Sequence, residues 1–160
     1  MNVSDKCISL IKQYEGLELT AKPCPAGIPT VGYGHIRGVK NGFKITLEQA
    51  EKYLQEDLKS VILDLTKALN DAEIEVTQGQ FDALASLVFN LGITKFLNST
   101  LWKKLCAGDK QGAAEQFLVW CKARNPKFDP SKKESEDNPK KITLKGLLER
   151  RKAERELFLS

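Results

Sequence analysis

Glu15, Cys24 and Thr30 lie along one turn-rich stretch that runs on into Val31-Gly32-Tyr33-Gly34-His35. A carboxyl, a thiol and a hydroxyl on so short a segment offer a proton donor, a base or nucleophile, and a group able to hold a water. The apolar pattern before Glu15 is helical, so this carboxylate ends a helix and faces the negative end of its macrodipole. Partial burial would add desolvation, and both effects disfavour ionisation, the property a general acid needs near neutral pH. From composition alone, a solvated glutamate at a helix end is the favoured reading.

The surrounding elements must bring these three groups together. Ile8, Leu10, Ile11 and Tyr14 make a helical stripe that Gly16 stops. Over residues 18–43 the pattern becomes short and alternating (Leu19/Ala21, Val31/Tyr33), broken by Pro23, Pro25, Gly27, Pro29, Gly38 and Gly42, which predicts a small antiparallel sheet. Helical periodicity returns at Ala50, Leu54, Leu58, Val61, Ile62, Leu65 and Leu69 behind a Thr46/Gln49 capping box. A second box, Thr77/Gln80, opens a mostly apolar and hence buried helix that Gly92 ends. Shorter helices are expected over 100–107 and 110–122, an exposed charged loop over 125–141, and a last helix over 144–159 with Leu147, Leu148, Leu157 and Phe158 inward. The sum is one α+β domain over 1–160: a β-lobe over about 16–48, a linking helix over about 49–70, and a helical lobe over about 71–160 with the first helix. A cleft is expected between the lobes, with Glu15 on its edge.

A chain of 160 residues, 41% hydrophobic and 29% charged, can bury a real core without staples, and no apolar run approaches bilayer length. The start, Met1 to Cys7, lacks the pattern of a secretory signal, so synthesis and folding in the cytoplasm are expected. Cys7, Cys24, Cys106 and Cys121 are spaced for neither a zinc site nor a redox pair, so thiols and no metal or cofactor are expected. The net charge of +4 suits approach to an anionic polymer, and solubility explains it almost as well.

Glu15, Cys24 and Thr30, with the Val-Gly-Tyr-Gly-His run after them, resemble the active-site signature of the phage-type lysozymes, or endolysins, of glycoside hydrolase family 24. Segments beginning at Ile45, Gln80, Phe96 and Leu148 resemble family segments in the same order, so the likeness covers nearly the whole chain. It implies a lysozyme-like fold and hydrolysis of the β-1,4 bond between N-acetylmuramic acid and N-acetylglucosamine in peptidoglycan, lysing the host. Glu15 matches the proton donor and Thr30 the residue that positions the attacking water. Ile36, Phe89, Ser99 and Gln116 match substrate-binding positions, and His35 a structural residue beneath the cleft. The resemblance further implies a monomer that binds no nucleic acid, is made in the host cytoplasm, acts in the periplasm or cell wall, and reaches it through a membrane pore made by another protein.

At Cys24 the commonest family residue is aspartate, although some members carry cysteine. A thiol near a carboxylate is mostly protonated at pH 7. Four roles stay open: base or orienting group for the water, nucleophile forming a transient thioglycoside, passive wall, or a redox-blocked thiol. Competing functions are a lytic transglycosylase cutting the same bond and a Cys24–His35 dyad cutting amide bonds. A non-enzymatic alternative is docking on an anionic envelope surface through Lys140, Lys141, Lys145, Arg150, Arg151, Lys152 and Arg155.

Overall fold

The computed structural model describes residues 1–24 and 27–160; the expected breaker Pro25 lies outside them. Helix α1 (Asp5–Glu15) ends at Gly16, whose φ of 70° is a backbone state that L side chains avoid. The chain then enters β1 (Glu18–Pro23), which pairs antiparallel with β2 (Pro29–Gly32). On the other edge of β1, Ala21 and Leu19 exchange backbone bonds with Gly42, Phe43 and Ile45, so the chain leaving the β-element is tied back to it.

Helix α2 (Leu47–Asp71) and helix α3 (Gln78–Leu91) both begin with the complete capping boxes that the sequence announces, at Thr46/Gln49 and Thr77/Gln80. Along α3 every side chain from Phe81 to Val88 is buried, Asp82 and Ser86 included. That burial is possible because α1, α2 and α7 (Lys145–Leu159) pack around it. Asp82 is satisfied at the start of α1: its carboxylate accepts from the Ser4 and Gln78 side chains and from the Ser4 N–H at 2.9 Å. Cys7, fully buried, donates its thiol to the Asp82 carbonyl, and burial pushes its pKa up to about 12.

Beyond Gly92 come three short helices, α4 (Ile93–Leu97), α5 (Thr100–Cys106) and α6 (Lys110–Gln116). The expected helix over 110–122 stops early. It tightens into a 3-10 turn at Phe117–Val119, which drops Phe117 against Phe158 with ring centroids 5.5 Å apart. The chain then forms β3 (Lys122–Arg124), paired with β4 (Lys141–Thr143). The expected loop over 125–141 is therefore the closed end of a hairpin. Asn125 closes it, taking the Lys140 carbonyl with its N–H and the Pro139 carbonyl with its side chain.

The last helix corrects the expectation most. Its buried residues are Arg150, Arg151, Glu154 and Phe158, while Leu147, Leu148 and Leu157 are half-buried. Two of the seven cations expected on a docking face are thus inside the molecule. Arg155 is paired with Glu115, and Lys152 lies 3.8 Å from Glu149. The basic run is not a free cationic helix face.

Candidate active site

Glu15 is the last residue of α1, and its carboxylate is aimed at the β-element. A Cβ on Gly34 would stand 2.8 Å from Glu15 Oε2, and Gly34 has a φ of +81°. The glycine is therefore required twice, by the turn and by the approach of the carboxylate. A Gly34→Ala variant must push Oε2 aside and strain the turn. Catalytic turnover is expected to fall by about 100-fold, the size of effect that a displacement of about 1 Å can have, with the fold retained on circular dichroism.

The other carboxylate oxygen is held from the opposite side. Arg150 Nη1 donates to Glu15 Oε1 at 2.7 Å, while its Nη2 donates to the Ser86 carbonyl at 3.2 Å. Arg150 is 2% exposed, so Glu15 is clamped between a buried guanidinium and a glycine turn. Arg150, which holds the candidate carboxylate, is the residue that the sequence misplaces, setting it on a solvent face.

Behind Arg150 the charges continue inward. Glu154 Oε2 is 3.5 Å from Arg150 Nε, and Glu154 Oε1 is 2.7 Å from Arg151 Nε. Arg151 Nη2 also donates to Asn90 Oδ1 at 2.9 Å. Burial lowers the Arg151 pKa to about 10 against the pull of Glu154, and burial pushes the Glu154 carboxyl up against both arginines.

Cys24 and Thr30 sit at the closed end of the β1–β2 hairpin, joined through one acceptor. The Ile28 carbonyl takes the Cys24 N–H at 2.8 Å and the Thr30 hydroxyl at 2.9 Å. Because the Thr30 hydroxyl proton is committed, its oxygen is left to accept. A water there would donate to Thr30 and turn a lone pair outward.

Gly34 also lines a groove of about 530 Å³ with Ile36, Asp57, Val61, Phe89 and Ile93. Two expected substrate contacts, Ile36 and Phe89, share this groove. Ser99 and Gln116 do not line it. Ser99 is buried as the N-cap of α5, its hydroxyl donating to the Phe96 carbonyl at 2.6 Å and accepting the Trp102 N–H. Substrate contact through that hydroxyl would open the helix start. Gln116 is half-buried at the end of α6.

His35 lies beneath the groove. Its Nδ1 is 2.9 Å from Asp57 Oδ2, its ring stacks on Tyr53 with centroids 4.2 Å apart, and its N–H and C=O bond with Val31. An imidazole packed this way is structural, which argues against a Cys24–His35 dyad. Among the described residues no group of three His, Cys, Asp or Glu could hold a metal ion, and no helix is long and apolar enough to cross a membrane.

A family model described as phage lysozyme matches residues 12–154. An endolysin of Acyrthosiphon pisum secondary endosymbiont phage 1 is 45% identical over 161 residues, covering 100% of this chain and 99% of that protein. An endolysin structure from Escherichia coli O157:H7 phage FAHEc1 superposes with a TM-score of 0.82 at 41% identity, covering 100% of this chain and 94% of that one. The muramidase domain of SpmX from Asticaccaulis excentricus superposes with a TM-score of 0.81 at 32% identity, over 99% of this chain and 98% of that one.

Proposed function

The chain belongs to the phage lysozyme family, and from that membership we propose an endolysin reaction in which Glu15 is the proton donor and Thr30 holds the attacking water. The bond cut is the β-1,4 link between N-acetylmuramic acid and N-acetylglucosamine in peptidoglycan. One observation carries the assignment of Glu15: its carboxylate is fixed between Arg150 and Gly34, and Gly34 itself lines the groove that holds Ile36 and Phe89.

Glu15, in its protonated form, gives its proton to the glycosidic oxygen as the C1–O bond breaks. Positive charge develops at C1 and the ring oxygen of the muramic acid. The water donating to Thr30 adds to C1 through its outward lone pair and gives up a proton to solvent, which leaves a new reducing end. Cys24 shares the Ile28 carbonyl with Thr30, and its role in this scheme is to orient or deprotonate that water. Ile36 and Phe89 provide apolar surface for sugar faces. The route to the wall is synthesis in the host cytoplasm and passage through a membrane pore formed by a separate protein, as the family resemblance implies.

The products test the scheme. Digestion of purified sacculi is expected to release muropeptides with hydrated muramic acid ends and new reducing sugars, read by mass spectrometry. Anhydro ends, lighter by one water, would assign a lytic transglycosylase instead, and new amines an amidase.

A further inference from the structure

The β3–β4 ribbon carries a local conflict. Both strands alternate exposed, half-buried, exposed, so Ala123 and Ile142 face inward while Lys122, Arg124, Lys141 and Thr143 face outward. The register sets Arg124 directly opposite Lys141. Asn125 N–H bonds to the Lys140 carbonyl at 2.8 Å and Leu144 N–H to the Cys121 carbonyl at 2.9 Å. Those flanking bonds make the Arg124/Lys141 rung a non-hydrogen-bonded one, where Cα atoms come within about 4.5 Å and side chains are closest.

Like charges at such a rung destabilise a ribbon, and nothing nearby relieves them. The ion pairs of this region serve other cations, Lys140 with Glu134 and Arg155 with Glu115. Among the described residues none engages Lys122, Arg124 or Lys141. The acidic residues of the hairpin, Asp129, Glu134, Glu136 and Asp137, all lie in its closed end, away from the ladder. What keeps the rung together is backbone pairing and the Asn125 closure, which hold a three-cation face in a fixed geometry.

We infer that this face, Lys122, Arg124 and Lys141, is a docking surface for the stem-peptide carboxylates of peptidoglycan, gripping the polymeric wall apart from the groove that cuts it. The inference rests on the proposed substrate. Charge complementarity selects the occupant: muramyl peptides present carboxylates along the glycan strand at the surface the enzyme must work on. Three cations on one backbone-paired face, without an ion-pair partner among the described residues, gain by meeting them, while the rung between Arg124 and Lys141 loses its repulsion.

An Arg124→Glu variant separates binding from folding, because it turns the repulsive rung into an opposite-charge pair. Its melting temperature is expected to equal or exceed that of the parent. Binding to purified sacculi, measured by co-sedimentation in the cold at low salt, is expected to weaken about fivefold to tenfold. The parent should weaken comparably on sacculi whose carboxylates have been amidated, where parent and variant bind alike. A Lys59→Glu variant carries the same change in net charge on an exposed site of α2 and should bind native sacculi like the parent.

Equal binding of parent and Arg124→Glu to native sacculi would overturn the inference, as would an equal loss in Lys59→Glu. So would a loss in Arg124→Glu that persists on amidated sacculi. Arg124-dependent binding to phosphatidylglycerol vesicles without Arg124-dependent binding to sacculi would overturn it in favour of lipid phosphate. Failure of the proposed function shows separately, as absence of new reducing ends from sacculi that the parent nonetheless binds.

Discussion

Replacing Glu15 by glutamine is expected to reduce turbidity clearing of exposed peptidoglycan by about 100- to 10,000-fold, the range a positioned general acid supplies. The substitution is close to isosteric. A glutamine oxygen can still accept from Arg150 Nη1, so the 2.7 Å contact keeps its geometry and loses its charge. Arg150 retains Glu154 and Ser86, but one of the two anions facing the buried arginines is lost, so the melting temperature should fall while the fold is retained on circular dichroism. Loss of activity with the fold intact then reports the missing proton. Undiminished clearing by Glu15→Gln would remove the acid role and with it the muramidase scheme. Within the same series, Thr30→Ala should lose about 10- to 100-fold, since water positioning remains only in part. Cys24→Asp is expected to retain or raise activity, because a carboxylate can accept from the same water; a collapse would point to thiol-specific chemistry instead.

Such a series can be designed because much of the candidate site lies in one continuous segment. Glu15, Cys24, Thr30, Gly34 and Ile36 are all local to the α1 end and the β-element, where glycine and proline punctuation marks the turns. The two capping boxes placed the starts of α2 and α3 correctly for the same reason: the signal is complete within four residues. What the sequence hid is long-range. Arg150 is 135 positions from the carboxylate it holds, and no local pattern connects them. On α7 the apolar periodicity points to the leucines, and charged residues are almost never fully buried unless paired. The structure buries the charged set because Arg150 and Arg151 are balanced by Glu154 and Glu15. The one available signal was the spacing itself: Arg150, Arg151, Glu154 and Phe158 share a helical stripe with opposite charges at i,i+3 and i,i+4. The hairpin was missed for a third reason. Its strands are three residues each, too short for an alternation to register, and Asn125, which closes it, reads in isolation as any turn residue.

That buried cluster carries the second large expectation. Glu154 is fully buried beside two buried guanidinium groups, and the contacts are close without being well aligned. Among the described residues, Arg150 Nε, Arg151 Nε, Arg151 Nη1 and Glu154 Oε1 find no hydrogen-bond partner. Charge balance, more than hydrogen bonding, therefore holds the cluster in place. A Glu154→Ala variant leaves two cations buried with Glu15 as their nearest described anion, and breaking a buried pair this way costs about 3–5 kcal/mol. For a domain of this size, at about 2–4 °C per kcal/mol, the melting temperature should fall by roughly 6–20 °C. Packing loss alone would predict that removing still more of the cluster makes matters worse. Charge imbalance predicts the reverse: Arg151→Met with Glu154→Leu fills a similar volume, takes one cation and one anion out together, and should recover most of the loss. In that double variant Arg150 keeps Ser86 behind it and Glu15 in front, so clearing activity should survive. If the double variant melts below Glu154→Ala, the cluster is held by its specific contacts rather than its balance of charge. Recovery of stability without activity would mean instead that Glu154 is needed to set the position from which Arg150 holds the catalytic carboxylate.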